Sequence, residues 1–335
     1  MKLRGWVLGW WSRFWAKPWL SFLLASLLLL ALQALAFSLS APPDAAFPTA
    51  IVAFNSFFVP YLLALLRYLD RQSRHTLQVM RPVLEISAAA FKRLVETLGA
   101  TPQGPALLAG LLMLLFAVGV EISGQTPSSY TAIPSSTVFA ALYYLIDKVG
   151  AFVFGLFVFH IYNKLRMFTM LANQHARVRL FNLRPLQALS KFSGAIALGL
   201  LAAVYGWIVI NPELLREWLV ILFLLGVTGL AALVFLLPLL CLHRRMVAEK
   251  DILLQTLDQR FEDSFAAFDR ALAAQDGKAI ELLSAKLSGM QIQYERLDSI
   301  PTWPWKPETA QLVTTAIALP MLIALAIFVL EQSLI

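Results

Sequence analysis

Residues 218–242 read WLVILFLLGVTGLAALVFLLPLLCL, an uncharged run that ends abruptly at His243-Arg244-Arg245. A helix needs about 20 apolar residues to cross the hydrocarbon of a bilayer. This run is long enough, and the cations at its end mark the side on which it stops. Six further runs of the same kind lie at 18–40, 48–67, 105–122, 138–162, 193–210 and 309–330. The pattern predicts an all-α polytopic membrane protein of about seven transmembrane helices. No alternation of strand period competes with it.

Charge sets the direction of threading. Of the 27 Lys and Arg residues, four lie in 1–17, six in 67–102, six in 164–192 and nine in 243–308. Only Lys148, within a run, and Arg216 depart from this grouping. Short segments rich in Lys and Arg stay on the cytoplasmic side during insertion. The expected topology is therefore N-terminus in and C-terminus out, in a bacterial inner membrane. The composition, 59% hydrophobic and 14% charged, excludes a water-soluble domain, which is nearer a quarter charged. The net charge of +7 sits beside the spans. It fits attraction to anionic headgroups and calls for no nucleic-acid partner. The single cysteine, Cys241, allows no intrachain disulfide. Ala34-Leu35-Ala36 has the small-x-small form of a signal-peptide cleavage site. The run Trp19–Leu39 is long enough to span, so it is expected to be retained.

The chain divides into a basic, Trp-rich cytosolic N-terminus (1–17) and a six-span region (18–242) with basic inner loops at 68–102 and 163–192. A cytosolic helical segment (243–308) and a final span with an outer tail (309–335) follow. In the first inner loop, Met80–Leu98 has helical spacing of apolar residues and is expected to form a helix that lies at the membrane surface or packs under the bundle. In 243–308, Leu254, Phe261 and Phe268 recur every seven residues, with Leu257, Phe265 and Leu272 adjoining. This is one apolar stripe on a long helix. Gln275-Asp276-Gly277 reads as a turn, and Leu283, Leu287, Met290, Tyr294 and Leu297 line a second helix. The two predict an antiparallel hairpin below the membrane. Leu254, Leu257, Phe261, Phe265 and Phe268 are its expected assembly surface for self-association.

Within the spans, Asp147 and Lys148 stand out. A charge in the bilayer centre costs at least about 2.5–3.5 kcal/mol. The pair should therefore face a bundle interior, a cavity or a neighbouring subunit, with Tyr143 and Tyr144 one turn away. It reads equally as an ion pathway or as a self-neutralising packing element. Glu121 is expected to lie too shallow to pair with Lys148. Asn55, Ser56 and Pro60 are a second candidate, either a broken-helix cation site or an ordinary polar contact. Pro320, preceded by Thr314 and Thr315, carries the same two readings. His160 is expected at the interface. The four histidines have no metal-ligand spacing. No phosphate loop, nucleophile elbow or catalytic carboxylate pair occurs, so no metal, cofactor or enzymatic activity is expected.

The stretch Tyr294-Glu295-Arg296-Leu297-Asp298-Ser299-Ile300-Pro301-Thr302-Trp303-Pro304-Trp305 resembles uncharacterised bacterial polytopic membrane proteins. In these a cytosolic helix leads through an I-P-x-W-P element into a last span. The resemblance covers the last quarter of the chain and implies no activity. In layout the chain also looks like the insect chemoreceptor class of seven-span, ligand-gated cation channels. Its Thr314-Thr315 and Glu331-Gln332 stand where that class has Thr-Tyr and Gln-Phe. The expected function is a homo-oligomeric ion channel or ligand-responsive membrane protein. The alternatives are a secondary transporter, with Asp147 as coupling carboxylate and a helix break at Pro60, and a membrane-anchored scaffold that recruits a cytosolic partner or lipid.

Overall fold

The computed structural model describes residues 18–99, 102–123, 133, 137–174, 180–210, 218–318 and 322. The basic segment 1–17, most of the 124–136 loop, Arg177, Arg179, Arg216, Pro320 and the 331–335 tail lie outside the described residues, as does most of the seventh run. The helices are α1 (Pro18–Ser40), α2 (Thr49–Met80), α3 (Ala88–Gly99), α4 (Gln103–Ile122), α5 (Thr137–Gln174), α6 (Arg184–Ile210), α7 (Trp218–Ala273) and α8 (Gly277–Asp298). Residues 307–318 are also helical. No β-strand occurs among the described residues. Six helical stretches are long and apolar enough to cross a membrane, α3 and α4 counting together as one. This is the architecture of a membrane-embedded protein.

The helices outrun the apolar runs that announce them. α2 continues past Arg67 to Met80, and α5 continues past Tyr162 to Gln174. α7 passes from the apolar run through Arg244 and Arg245 to Ala273, about 84 Å of unbroken helix. The expected helix over Met80–Leu98 is in fact broken. Pro82 cannot extend α2, so a 3₁₀ turn at Arg81–Val83 follows, and α3 starts only at Ala88. Pro60, by contrast, lies inside an uninterrupted α2. The helix break expected there is absent, because proline in a membrane helix can be accommodated by local adjustment.

α6 is the central helix. It packs on α2 and α7 and buries Leu186, Leu189, Phe192, Ile196, Leu200 and Val204 among others. Tyr61 donates to the Gly199 carbonyl at 2.9 Å, fixing the α2–α6 crossing. α1 is inverted relative to a soluble amphipathic helix. Ser21, Ser26 and Gln33 are buried, while Leu24, Leu28, Leu35 and Leu39 are exposed. α4 likewise exposes Leu108, Leu112 and Leu115. Such continuous apolar surface is matched by lipid.

α4 meets α5 through small residues. A Cβ on Gly155 would strike the Ala109 carbonyl and lie 2.8 Å from Gly110 Cα. Gly155→Val is expected to force the helices apart at a cost of about 1–3 kcal/mol, read as a lower melting temperature in detergent. Gly226→Ala, where an added Cβ meets nothing within 4 Å, should melt like the parent.

The hairpin turn falls at Gln275-Asp276. Gln275 takes a left-handed φ of 54°. Asp276 N–H bonds to Ala271 O at 3.1 Å and Gln275 N–H to Leu272 O at 3.1 Å, closing α7. Asp276 Oδ1 then caps α8 by accepting from the N–H groups of Lys278 and Ala279. Left-handed geometry strains a residue with a Cβ. Gln275→Gly should therefore raise the stability of the hairpin by about 1 kcal/mol, measured by thermal melting.

Candidate functional site

Two ionic clusters lie about 24 Å apart along α5, sixteen residues of helix from Lys148 to Lys164. In the first, Lys148 Nζ is 2.6 Å from Glu121 Oε2 and 3.2 Å from Asp147 Oδ2. The expectation that Glu121 lies too shallow to pair is wrong. α5 is 38 residues long and α4 only 20, so the first three turns of α5 overhang the end of α4. Lys148 is therefore level with the last turn of α4. The Asp147 and Lys148 side chains each keep about a quarter of their surface exposed.

The polar residues of α2 gather just beyond this cluster. Asn55 Nδ2 donates to the Tyr143 carbonyl at 3.0 Å, and Gln33 Nε2 donates to Ser56 Oγ at 2.7 Å. Ser56 Oγ donates in turn to Val52 O. Asn55, Ser56, Pro60 and Tyr143 are buried, and Tyr144 meets Tyr143 edge to face at 5.7 Å. These contacts tie α1, α2 and α5 together, as polar side chains do between membrane helices.

The second cluster holds the more deeply buried cation, and sequence reading passes over it. Lys164 is 3% exposed. Its Nζ donates to Asp70 Oδ1 at 2.7 Å, Ser73 Oγ at 3.2 Å and Leu98 O at 3.1 Å. A lysine ammonium has three donors, and here each has an acceptor. Leu98 O belongs to the last turn of α3, where carbonyls lack intrahelical partners and the helix dipole is negative. His160 Nε2 lies 2.9 Å from the same Asp70 oxygen. His160 is thus a cluster member, packed between helices rather than simply interfacial. The available signal is spacing: Asp70 and Ser73 are one turn apart on α2, and His160 and Lys164 one turn apart on α5. Counting Lys164 as a loop cation conceals it.

Between the clusters the interior is filled with Phe154, Phe157, Leu62 and Leu69, all buried. Each cluster brings opposite charges together, and neither opens on a large described cavity.

At the same end as Lys164, the I-P-x-W-P element is held against α7. His243, Trp303, Trp305 and Phe235 form a continuous stack, with centroid separations of 3.9, 4.2 and 5.8 Å. His243 Nδ1 lies 3.0 Å from Thr302 O. Lys250 Nζ bonds to Asp298 O at 2.6 Å.

Below this collar α8 folds back on α7. The predicted apolar stripe is wider than one partner helix can cover. α8 takes the side of Leu257, Ser264 and Ala271, which are buried, and meets them with Met290 and Leu297. Leu254 packs on the main core. Leu257 is therefore buried within the hairpin and Leu254 is half-buried against the main core. Phe261 and Phe265 remain 37% and 50% exposed, and Leu272 is exposed as well. Phe261, Phe265 and Phe268 follow one another at centroid separations of 6.2 and 6.5 Å.

Among the described residues no three His, Cys, Asp or Glu side chains form a metal-binding group. No protein-family model, curated protein or solved structure matches the chain.

Removing one partner of a buried ion pair strands the other, at about 3–5 kcal/mol. Asp70→Leu leaves the buried Lys164 uncompensated and should lose about that much stability in a detergent melt, Lys164→Met should lose less because Asp70 is 38% exposed and keeps His160 beside it, and the double variant should recover most of the loss. Lys148→Met, in the partly exposed cluster, should cost clearly less than Asp70→Leu.

Proposed function

We propose that this chain is a homo-oligomeric membrane protein of the bacterial inner membrane, assembled through its hairpin on the cytoplasmic side. The observation that carries this reading is the unpartnered Phe261–Phe265–Phe268 ladder. It stands about 25–35 Å beyond Arg245 along α7. That distance puts it out of reach of headgroups. Residues 246–298 hold ten acidic and six basic groups, so an anionic membrane surface repels the hairpin. Copies anchored in one membrane with one orientation present the ladder at one height. Like meets like about an axis normal to the bilayer, a symmetric contact of the cyclic kind.

An ion pathway, in this reading, lies between copies. The interior of one chain is closed by packed phenylalanines and by ion pairs that neutralise one another. A docking role for a soluble protein with a basic surface is the second reading, favoured by the acidity of the hairpin. In a Cys241→Ser background, Phe265→Cys should cross-link between chains in native membranes, and Phe261→Ser with Phe265→Ser should reduce the detergent-solubilised protein to a monomer. A parent protein that is already monomeric and does not cross-link would exclude assembly through the hairpin. Reconstituted oligomer carrying single-channel currents favours the channel. Saturable, gradient-driven uptake lost on Asp147→Asn would favour the transporter instead.

A further inference from the structure

A cavity of about 580 Å³ opens between α5, α6 and α7 on the side away from the Asp70–His160–Lys164 cluster. Its volume is within the range of about 300–1,000 Å³ typical of small-molecule sites. Its lining changes character along its length. At one end it is wholly apolar, lined by Val158 and Ile161 of α5, Leu200 of α6 and Leu230 of α7. At the other end α5 presents Tyr162, Arg166, Thr169 and Asn173, spaced four, three and four residues apart and so on one face of the helix.

We propose that this groove holds one anionic phospholipid, with an acyl chain along the Leu233–Leu237 wall and the phosphate on Arg166. Three observations carry the assignment. First, the groove lies on the lipid-facing side of two membrane-spanning helices: Leu233 is 54% and Leu237 45% exposed. Second, Leu233 and Leu237 fall six to ten residues before His243, about 9–15 Å along α7 from its basic end, and Thr169 and Asn173 continue α5 toward that same end. That is the depth of acyl chains in a single leaflet, and the polar half lies toward the headgroups. Third, Arg166 makes no ion pair or hydrogen bond among the described residues, unlike Lys164 two residues before it. An exposed guanidinium beside an apolar slot suits a phosphate by charge and by its paired donors. Anionic lipid is abundant in the cytoplasmic leaflet, where basic pockets between helices bind such headgroups. A free phosphate would use Arg166 and leave the slot empty. A neutral lipid would fill the slot and leave Arg166 unmatched. The inference rests on the hairpin end facing the cytoplasm, as in the reading above, and does not depend on oligomerisation.

The test is native mass spectrometry of full-length protein taken from nanodiscs of equal phosphatidylglycerol and phosphatidylcholine. The parent should retain phosphatidylglycerol preferentially. Arg166→Ala should lower that preference about fivefold, the factor expected for one basic residue near a headgroup, and Arg166→Lys should keep most of it. Leu233→Trp, which fills the apolar half from an exposed position, should abolish retention while leaving the melting temperature unchanged. Excess inorganic phosphate should not displace the bound lipid. An unchanged preference in Arg166→Ala would overturn the headgroup assignment. Full retention in Leu233→Trp would show that the lipid is held at the surface alone, and displacement by phosphate would show a site for the free anion. Either result would overturn the proposal.

Discussion

The structure depends on what a single buried ammonium requires. Lys164 is withdrawn from solvent, and an unpaired charge there would cost several kcal/mol. Its acceptors come from two other helices: Asp70 and Ser73 on α2, and the end of α3 at Leu98. Satisfying it fixes the register of α2 against α5 and pins the short helix α3 beneath them. Pro82 makes this geometry available, because the interruption it forces lets the chain turn before α3 begins. A buried pair of this kind is not a large net source of stability compared with well-packed apolar residues. Its contribution is to define one arrangement among helices whose remaining contacts are largely interchangeable.

The same constraint arranges the other polar groups. In hydrocarbon, helices gain little from burying leucine against leucine, since lipid serves as well. α1 and α4 therefore turn leucines outward, and α1 turns Ser26 and Gln33 inward. Close backbone approach at Gly155 and hydrogen bonds from Gln33, Asn55 and Tyr61 hold the helices together. Charge within the bundle gathers in two paired clusters, Lys148 with Glu121 and Asp147, and Lys164 with Asp70 and His160. Outside the bilayer the rules revert to those of water, and there α7 and α8 pair through an apolar seam. That seam uses only half of the stripe, and the aromatic half is left for another surface.

The helices and their approximate spans are legible in the sequence, because an uncharged run such as 218–242 has one economical explanation. The turn at Gln275-Asp276 is legible too, from polar residues between two periodic segments. Helix ends are not, since hydropathy marks where the hydrocarbon stops and not where the hydrogen-bonded ladder stops. α2, α5 and α7 all continue into charged sequence. The pairing of Glu121 with Lys148 is missed for the same reason: run ends do not show which turn of one helix lies level with which turn of the next. The Asp70–His160–Lys164 cluster is legible only in part: its one-turn spacings are local, but the meeting of the two helices joins residues some 90 positions apart. The width of the hairpin stripe is visible, but which half α8 covers depends on small residues, Ser264 and Ala271, that carry no hydrophobic signal.

The account rests on a bilayer crossed with the hairpin end toward the cytoplasm. Cysteine accessibility tests this most directly. In a Cys241→Ala background, single cysteines are placed at Ser123, beside the Glu121–Lys148 cluster, and at Gly277, in the hairpin turn. Intact cells are then exposed to an impermeant maleimide. Labelling at position 123 in intact cells, with labelling at 277 only after permeabilisation, is the predicted result. Labelling of 277 in intact cells while 123 stays protected would contradict the account.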